Sequence, residues 1–160
     1  MKILEDRLKE EAMGWLNIAA RIADNKSLCV RAKTGSVIVS YGKMIGAGYN
    51  APPADIKITR CLKDSLPKNF KSDRTCCVHA EQRAIKAATK TNSKKLAGSI
   101  IYFARLDSTG EIKHAGKPYC TICSKEILDS GIFGVVLLQR EGPCLYDSVE
   151  YNELSFRHAD

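Results

Sequence analysis

Two short motifs, about forty residues apart, set the strongest constraint on how this chain of 160 residues can fold. The first places a histidine and a glutamate two positions apart, at His79 and Glu81, and the second is the Cys-x-x-Cys pair Cys120 and Cys123. One imidazole and two thiolates make three protein ligands, the number that a catalytic zinc uses when its fourth position is kept open for water. A fold that joins the two motifs is therefore predicted to hold zinc at His79, Cys120 and Cys123.

The spacing within each motif predicts the local structure. Cys120 and Cys123 are three positions apart, so on a helix both thiolates would lie on one face. His79 and Glu81 are two positions apart, which is about 200° around a helix, so they cannot share a face in mid-helix. Both can reach one ion if a helix begins near Val78 and the ion lies off its N-terminal end. The positive end of the helix dipole would then favour thiolates and a deprotonated water.

Other interpretations of the cysteines remain open at this point. A Cys-x-x-Cys pair alone is also found in redox sites and as half of a structural zinc site. Cys76 and Cys77 could join Cys120 and Cys123 in a closed four-thiolate site. The carboxylate of Glu81 favours the catalytic interpretation, because a structural site does not need it.

The length and composition predict one soluble globular domain over residues 1–160, with 44% hydrophobic and 27% charged residues. The order of predicted helices and strands makes it an α/β domain. No apolar run reaches 18 residues and no signal peptide begins the chain, so we expect neither a membrane span nor secretion. Seven cysteines without such a signal indicate reduced thiols and metal binding in the cytoplasm, not a disulfide framework.

The net charge of +7 favours an anionic partner, although it can equally serve solubility alone. Part of it lies in a long connection over 51–75, whose cations are Lys57, Arg60, Lys63, Lys68, Lys71 and Arg74. Arg31 and Lys33 precede this connection. These charges are scattered and form no run of five, which favours a single phosphate over a polynucleotide.

The hydrophobic pattern alternates helices and strands. It predicts helices over 4–24, 78–89, the Cys pair to Gly131, and 149–158, with strands over 36–40, 44–49, 99–104 and 132–138. Leu8, Ala12, Leu16 and Ala23 belong to the apolar face predicted for the first helix. Glycines at 35, 46 and 48 fall in the first two strands, where glycine marks a bulge or a close approach of another backbone. The alternation indicates a sheet covered on both faces, with the two motifs at one edge.

Several stretches of the chain together resemble the zinc-dependent cytidine and deoxycytidylate deaminase superfamily. They are Gly35–Val39, Gly48-Tyr49-Asn50, His79-Ala80-Glu81, Pro118-x-Cys120-x-x-Cys123 and Ser130-Gly131-Ile132. The resemblance covers residues 5 to 140, and the hairpin that ends in Gly-Tyr-Asn before a proline is most similar to the deoxycytidylate branch. It implies a three-layer α-β-α sandwich around a five-stranded mixed sheet. Because the pattern predicts only four strands, we expect the fifth in the tail assigned to the last helix.

The resemblance also implies the chemistry. A zinc-activated water would attack the amine-bearing ring carbon, and Glu81 would take a proton from that water and pass it to the ring nitrogen. In a second transfer, Glu81 would protonate the departing amine. Asn50 would contact the substrate, although from the residues alone it could equally open the turn that follows. The backbone amide of Ala80 would contact the base. Tyr119, between Pro118 and Cys120, departs from the common Pro-Cys-x-x-Cys form and would alter the mouth of the pocket.

We therefore predict a homo-oligomeric deaminase that acts on a free pyrimidine nucleotide or nucleoside. Two other classes are kept: a deaminase of RNA, such as the tRNA adenosine type, and a zinc-binding structural module without activity. The RNA deaminase would use the same zinc residues. The sequence shows no basic run interleaved with aromatic residues, which a nucleic-acid groove would favour.

Overall fold

The computed structural model describes residues 1–67 and 76–157. Its helices are α1 (Asp6–Lys26), α2 (Ala80–Asn92), α3 (Thr121–Asp129) and α4 (Ser148–Arg157). Its strands are β1 (Lys2–Ile3), β2 (Thr34–Ser40), β3 (Lys43–Tyr49), β4 (Ile100–Leu106), β5 (Ile112–Lys113), β6 (Gly134–Gln139) and β7 (Gly142–Asp147).

The strands form one mixed sheet with two covered faces. Their order is β1-β7-β6-β4-β2-β3, with β5 paired to β4, and only the β4–β6 pair is parallel among the described strands. Alternate residues of a strand point to opposite faces. Val37 thus packs in the core formed with α1, and Ile38 packs in the core formed with α2, α3 and α4. The predicted three-layer α-β-α sandwich around a mixed sheet is confirmed.

Glycines in β3 let α2 lie directly on the sheet. A Cβ atom at Gly48 would lie 2.1 Å from the carbonyl oxygen of Ala80, and one at Gly46 would lie 2.6 Å from that of Ala84. Gly35 of β2 has the same relation to α1, with a contact of 2.1 Å to the oxygen of Ala19. These distances are too short for any side chain, so the predicted close approach is confirmed. It brings the first residues of α2 against the end of β3.

The fifth long strand lies elsewhere than expected. It is β7, which occupies 142–147, between the strand predicted over 132–138 and the helix predicted over 149–158. Gly142 has a φ of 122°, which only glycine adopts easily, so the chain reverses at once and pairs antiparallel with β6. Pro143 disfavours a strand in sequence-based reasoning. The tail itself remains helical as α4, and its predicted last residue, His158, lies outside the described residues.

The first helix differs from its prediction at its N-terminal end. It begins at Asp6, and Leu8 is 52% exposed because the buried face of α1 starts one turn later, at Ala12. Leu16, Ala19 and Ala23 continue that buried face, as predicted. No described helix has both the length and the apolar character that crossing a membrane requires.

Candidate metal centre and active site

The histidine and the glutamate lie at the N-terminal end of α2. His79 is the residue immediately before the helix, in an extended conformation, and its N–H donates to Oε1 of Gln82 at 3.2 Å. Glu81 is the second residue of the helix and is 5% exposed. A helix that starts after His79 turns both side chains toward the space off its end, as the two-residue spacing predicted.

The two cysteines lie at the N-terminal end of α3 and not both inside it. Cys120 precedes the helix, with φ of −87° and ψ of 99°, and its sulfur accepts a hydrogen bond from the N–H of Cys123 at 3.4 Å. The prediction that both thiols share one helical face was therefore wrong for Cys120. The thiols still meet, because a residue that caps a helix points its side chain at the N–H groups of the first turn.

The three predicted ligands converge on one point. Nδ1 of His79 lies 3.1 Å from Sγ of Cys123 and 3.3 Å from Sγ of Cys120, and the two sulfurs are 3.1 Å apart. Among the described residues this is the one group of three such side chains close enough to share an ion. Tetrahedral zinc, with bonds of about 2.0 Å to nitrogen and 2.3 Å to sulfur, sets its donors about 3.5–3.8 Å apart. Small outward rotations of the side chains would therefore accommodate zinc.

The ionisation of the site suits a metal beside a proton carrier. A hydrogen bond from Cys123 lowers the pKa of Cys120 to about 4, despite the opposing effect of burial. Burial raises the pKa of Glu81 to about 7, and the neighbouring His79 offsets only part of that rise. The thiolate is the form that binds a metal. A carboxyl group with a pKa near neutrality can both accept and donate a proton.

Glu81 and His79 face a cavity of about 350 Å³. Three cations line the same cavity: Arg31 before β2, Lys63 in the connection after β3, and Arg105 near the end of β4. The guanidinium of Arg31 also forms an ion pair with the carboxylate of Asp64 at 3.4 Å. Because this pair is exposed, it contributes little to stability. The cavity is thus lined by a buried carboxyl group and by three positively charged side chains.

Asn50 lies in the wall of this cavity, and its amide is already engaged by the protein. Its Oδ1 accepts from Oγ of Ser27 at 2.6 Å and from the N–H of Thr34 at 2.8 Å, and its Nδ2 donates to the carbonyl of Ala32 at 2.8 Å. The second hydrogen on Nδ2 is the one that a substrate could still use. The predicted contact of Asn50 with substrate stays a prediction. The structure also shows that Asn50 holds the chain before β2 through these hydrogen bonds.

Ala80 is the first residue of α2 and is fully buried against β3. Its N–H belongs to the first turn, whose amides have no acceptor within the helix. The adjoining chain is fixed by a two-way backbone bridge, with Val78 donating to Ala51 at 2.9 Å and Ala51 donating to Val78 at 3.3 Å. This bridge fixes the segment after Asn50 beside the start of α2, so the two predicted substrate contacts lie near each other in the fold.

Other residues considered from the sequence have mixed outcomes. Tyr119 lines the cavity, in keeping with its predicted effect on the mouth. Lys33 instead bonds Asp24 at 2.7 Å. The cations at 68, 71 and 74 lie outside the described residues. Arg105 was missed, although a charged residue near the end of an otherwise apolar strand is a signal that could have revealed it.

Comparisons with known proteins agree with the family resemblance seen in the sequence. The profile of the cytidine and deoxycytidylate deaminase zinc-binding region matches residues 9–139. Deoxycytidylate deaminase of Mycobacterium phage D29 is 32% identical over 130 residues, covering 76% of this chain and 89% of the phage protein. Deoxycytidylate deaminase of Saccharomyces cerevisiae is 28% identical over 151 residues, and the chain spans 43% of its length. The solved dCMP deaminase of cyanophage S-TIM5, in complex with dCMP and dUMP, is 21% identical with a TM-score of 0.53, and the match covers 82% of this chain and 81% of that one.

The chain therefore belongs to the cytidine and deoxycytidylate deaminase family. The predicted membership is confirmed, and with it the predicted zinc cofactor and the class of zinc-dependent deaminases. The cyanophage structure adds a similar fold.

Proposed function

We propose that this chain hydrolytically deaminates a free pyrimidine nucleotide, with deoxycytidine monophosphate as the preferred substrate. The exocyclic amine of the cytosine ring is replaced by a carbonyl, water is consumed and ammonia is released. The observation that carries the proposal is the shared cavity, where the buried carboxyl group of Glu81 and the cations Arg31, Lys63 and Arg105 surround one space. Within that space, Glu81 would reach the base and the cations would meet the phosphate.

The residues of the chain divide the chemistry among them. His79, Cys120 and Cys123 would hold zinc, which when bound supplies a Lewis acid that lowers the pKa of water to about 7. Glu81 takes a proton from the attacking water and gives it to the ring nitrogen beside the amine-bearing carbon. It then takes the remaining proton from the hydroxyl group added to that carbon and gives it to the amine, so that the carbonyl forms and ammonia leaves, and one carboxyl group acts as base and as acid in turn. The burial that raises its pKa to about 7 keeps it suited to both steps.

The phosphate preference rests on charge and on relatives. Three cations around one cavity of about 350 Å³ favour an anionic ligand of small size. Two relatives carry the name deoxycytidylate deaminase, and the cyanophage enzyme binds dCMP and dUMP. Asn50 and Ala80 are proposed to contact the nucleotide, and the homo-oligomer expected from the sequence is proposed here as well. Light scattering of the zinc-loaded protein would measure its assembly.

A substrate panel tests the proposal. Zinc-loaded protein is assayed for ammonia release with cytidine, deoxycytidine, their monophosphates, guanine and an adenosine-containing tRNA anticodon stem-loop. We expect the highest kcat/KM for deoxycytidine monophosphate, and a lower value for deoxycytidine because it lacks the phosphate. The absorbance change that accompanies conversion of the cytosine ring to a uracil ring gives an independent measure of the same reaction.

Two results would contradict the proposal. Turnover of the tRNA stem-loop alone, with binding that weakens steeply as salt rises, would assign the chain to the RNA-acting class. Full zinc content without ammonia release from any substrate would favour the structural zinc module.

A further inference from the structure

A second cavity, of about 430 Å³, adjoins the one that Glu81 faces. The two cavities share part of their walls, because Arg31 and Arg105 line both of them. Lys33 and Lys113 line the second cavity alone, so that four cations surround it. We call this second cavity the basic groove. The proposed reaction makes no use of it beyond the shared wall.

Two of these cations lie directly opposite each other in the sheet. Arg105 of β4 pairs with Lys113 of β5, and the members of an antiparallel pair point to the same face. Phe103, two residues before Arg105 on the same strand, points to that face as well and lines the cavity of the active site. The two cationic side chains therefore start from neighbouring positions beside that cavity.

The pairing of these two cations is unfavourable in the free protein. Like charges on directly opposite residues destabilise a sheet. Neither Arg105 nor Lys113 forms an ion pair with any residue that the structure describes, whereas Lys33 pairs with Asp24 at 2.7 Å. An anion between Arg105 and Lys113 would replace the repulsion with two attractions.

Among the described residues, Asp107 is the acidic side chain that lines the groove, and it is engaged within its own turn. Its Oδ1 accepts from the N–H and the hydroxyl of Thr109 at 2.8 and 2.7 Å, and from the N–H of Glu111 at 3.1 Å. These bonds hold that oxygen against the donors of the loop. Four cations thus face one carboxylate, and the groove as a whole favours an anionic ligand.

We propose that the basic groove binds the second phosphate of a pyrimidine nucleoside diphosphate, whose base and first phosphate occupy the cavity of the active site. The inference rests on the proposed function, which places the first phosphate among Arg31, Lys63 and Arg105. Because Arg31 and Arg105 border both cavities, a phosphate joined to the first one would lie beside the groove. Lys33 and Lys113 are the next cations there.

The enzyme would thus accept deoxycytidine diphosphate as a further substrate. The reaction is the same hydrolysis, in which deoxycytidine diphosphate and water give deoxyuridine diphosphate and ammonia. Lys113 would contact the second phosphate and not the first, because it lines the groove and not the cavity of the active site. Lys113 is therefore the residue that distinguishes the two nucleotides.

Binding of the reaction products tests the inference without turnover. Calorimetry with the full zinc-loaded protein measures the dissociation constants of deoxyuridine monophosphate and deoxyuridine diphosphate. We expect the diphosphate to bind at least as tightly as the monophosphate. In Lys113→Met, the dissociation constant of the diphosphate should rise by about tenfold to a hundredfold, because a charged hydrogen bond is lost, while that of the monophosphate stays the same.

Lys43→Met is the matched control. Lys43 begins β3 beside the turn that follows β2, whereas Arg105 pairs with Thr34 at the other end of β2. The control removes the same charge away from the groove and should leave both dissociation constants unchanged. Inorganic pyrophosphate is the third ligand, and it should bind more weakly than deoxyuridine diphosphate because it lacks the base.

The pair of cations also supplies a readout that needs no ligand. Lys113→Met removes a like charge from the position opposite Arg105, so the melting temperature of the free variant should equal or exceed that of the unmodified protein. A lower melting temperature would show that Lys113 holds the hairpin of β4 and β5 together, and would overturn the inference.

Other results would also overturn it. One is weaker binding of deoxyuridine diphosphate than of the monophosphate by the unmodified protein. Another is a Lys113→Met variant that loses affinity for both nucleotides equally, or for neither. Pyrophosphate that binds as tightly as the diphosphate would make the groove a site for free anions. If neither nucleotide binds, the proposed function fails together with this inference, whereas tight binding of the monophosphate alone contradicts only the inference.

Discussion

The hydroxyl of Ser27 donates to the side-chain oxygen of Asn50 across 2.6 Å, and both groups are buried. Ser27 follows the last residue of α1, whereas Asn50 follows β3, so the bond ties the end of a helix to the end of the hairpin. The N–H of Thr34 donates to the same oxygen at 2.8 Å. Asn50 thus holds the segment that carries Arg31 into the cavity wall.

The first prediction concerns this bond network. Asn50→Ala leaves the N–H of Thr34 and the carbonyl of Ala32 without their partner, and an unsatisfied buried polar group costs about 1–3 kcal/mol. We expect the free energy of unfolding, measured in urea, to fall by that order and the KM for substrate to rise. Asn17→Ala, on the exposed face of α1, is the control and should change stability by less than about 0.5 kcal/mol. Unchanged stability of Asn50→Ala would show that the amide does not hold the segment.

The second prediction concerns zinc content. Cys120→Ser should reduce zinc from one ion per chain to near none, because it removes one of three ligands that converge within 3.3 Å. Cys76→Ser is the matched control and should retain the ion. Metal analysis of both purified variants distinguishes the site from the alternative of four thiolates, in which Cys76→Ser would lose zinc as well.

The third prediction separates metal binding from turnover at Glu81. Glu81→Gln keeps nearly the same shape but cannot carry a proton, so kcat should fall by about 10²–10⁴-fold or more. Zinc content and melting temperature should stay near those of the unmodified protein, since the carboxyl group is not among the three converging donors. Loss of zinc in this variant would identify Glu81 as a ligand, and normal turnover would refute its role as proton carrier.

The fourth prediction concerns the phosphate. Arg105→Met removes a charged hydrogen-bond donor, worth about 1.5–3 kcal/mol, so the KM for deoxycytidine monophosphate should rise by about tenfold to a hundredfold. The KM for deoxycytidine should change little. Lys113 pairs with Arg105 across β4 and β5 but does not line the cavity, so Lys113→Met controls for the loss of nearby charge. Equal effects of Arg105→Met on both substrates would argue against a contact with phosphate.

The fifth prediction concerns the contact between the hairpin and α2. A Cβ atom at Gly48 would lie 2.1 Å from the oxygen of Ala80 and 2.5 Å from the nitrogen of Ala84. Backbone atoms cannot move aside as a side chain can, so Gly48→Ala should destabilise the protein by at least about 1–3 kcal/mol. Gly14→Ala is the opposite control, because Gly14 lies in α1 with open space around it, and it should stabilise by about 0.5–1 kcal/mol. Thermal melting of both variants checks the difference in sign.

Sequence reasoning reached the parts of the site that depend on local spacing. The two-residue step from His79 to Glu81 excludes a shared helical face, and the structure starts α2 at Ala80, between these two residues. The glycines of the hairpin likewise predicted a bulge or the close approach of another backbone, and the structure places α1 and α2 against them. Cys120 was placed inside a helix because spacing of three cannot distinguish a helical residue from one that caps the first turn.

Features that depend on distant parts of the chain escaped sequence reasoning. The strand β7 contains a proline, and its pairing with β6 and β1 makes it a strand. Arg105 enters the cavity because β4 lies between β2 and β6, an order that no local pattern contains. The engagement of Asn50 by Ser27 joins residues 23 positions apart. Pattern and spacing therefore predict side chains near one helix end better than those assembled by the sheet.

The position of the three converging donors also bears on the order in which the chain folds. His79 comes from the part of the chain before β4, whereas Cys120 and Cys123 come after it and are held in place once β6 has paired in parallel with β4. All three donors reach one ion only when that non-local pairing is complete, and we expect the pairing to form after the folding transition state. Zinc would then contribute nothing to the folding nucleus and would act on the escape from the native state, so that the holo protein unfolds more slowly while it refolds at the same rate. The bound metal would thereby slow the unfolding of the native protein in addition to serving its chemistry.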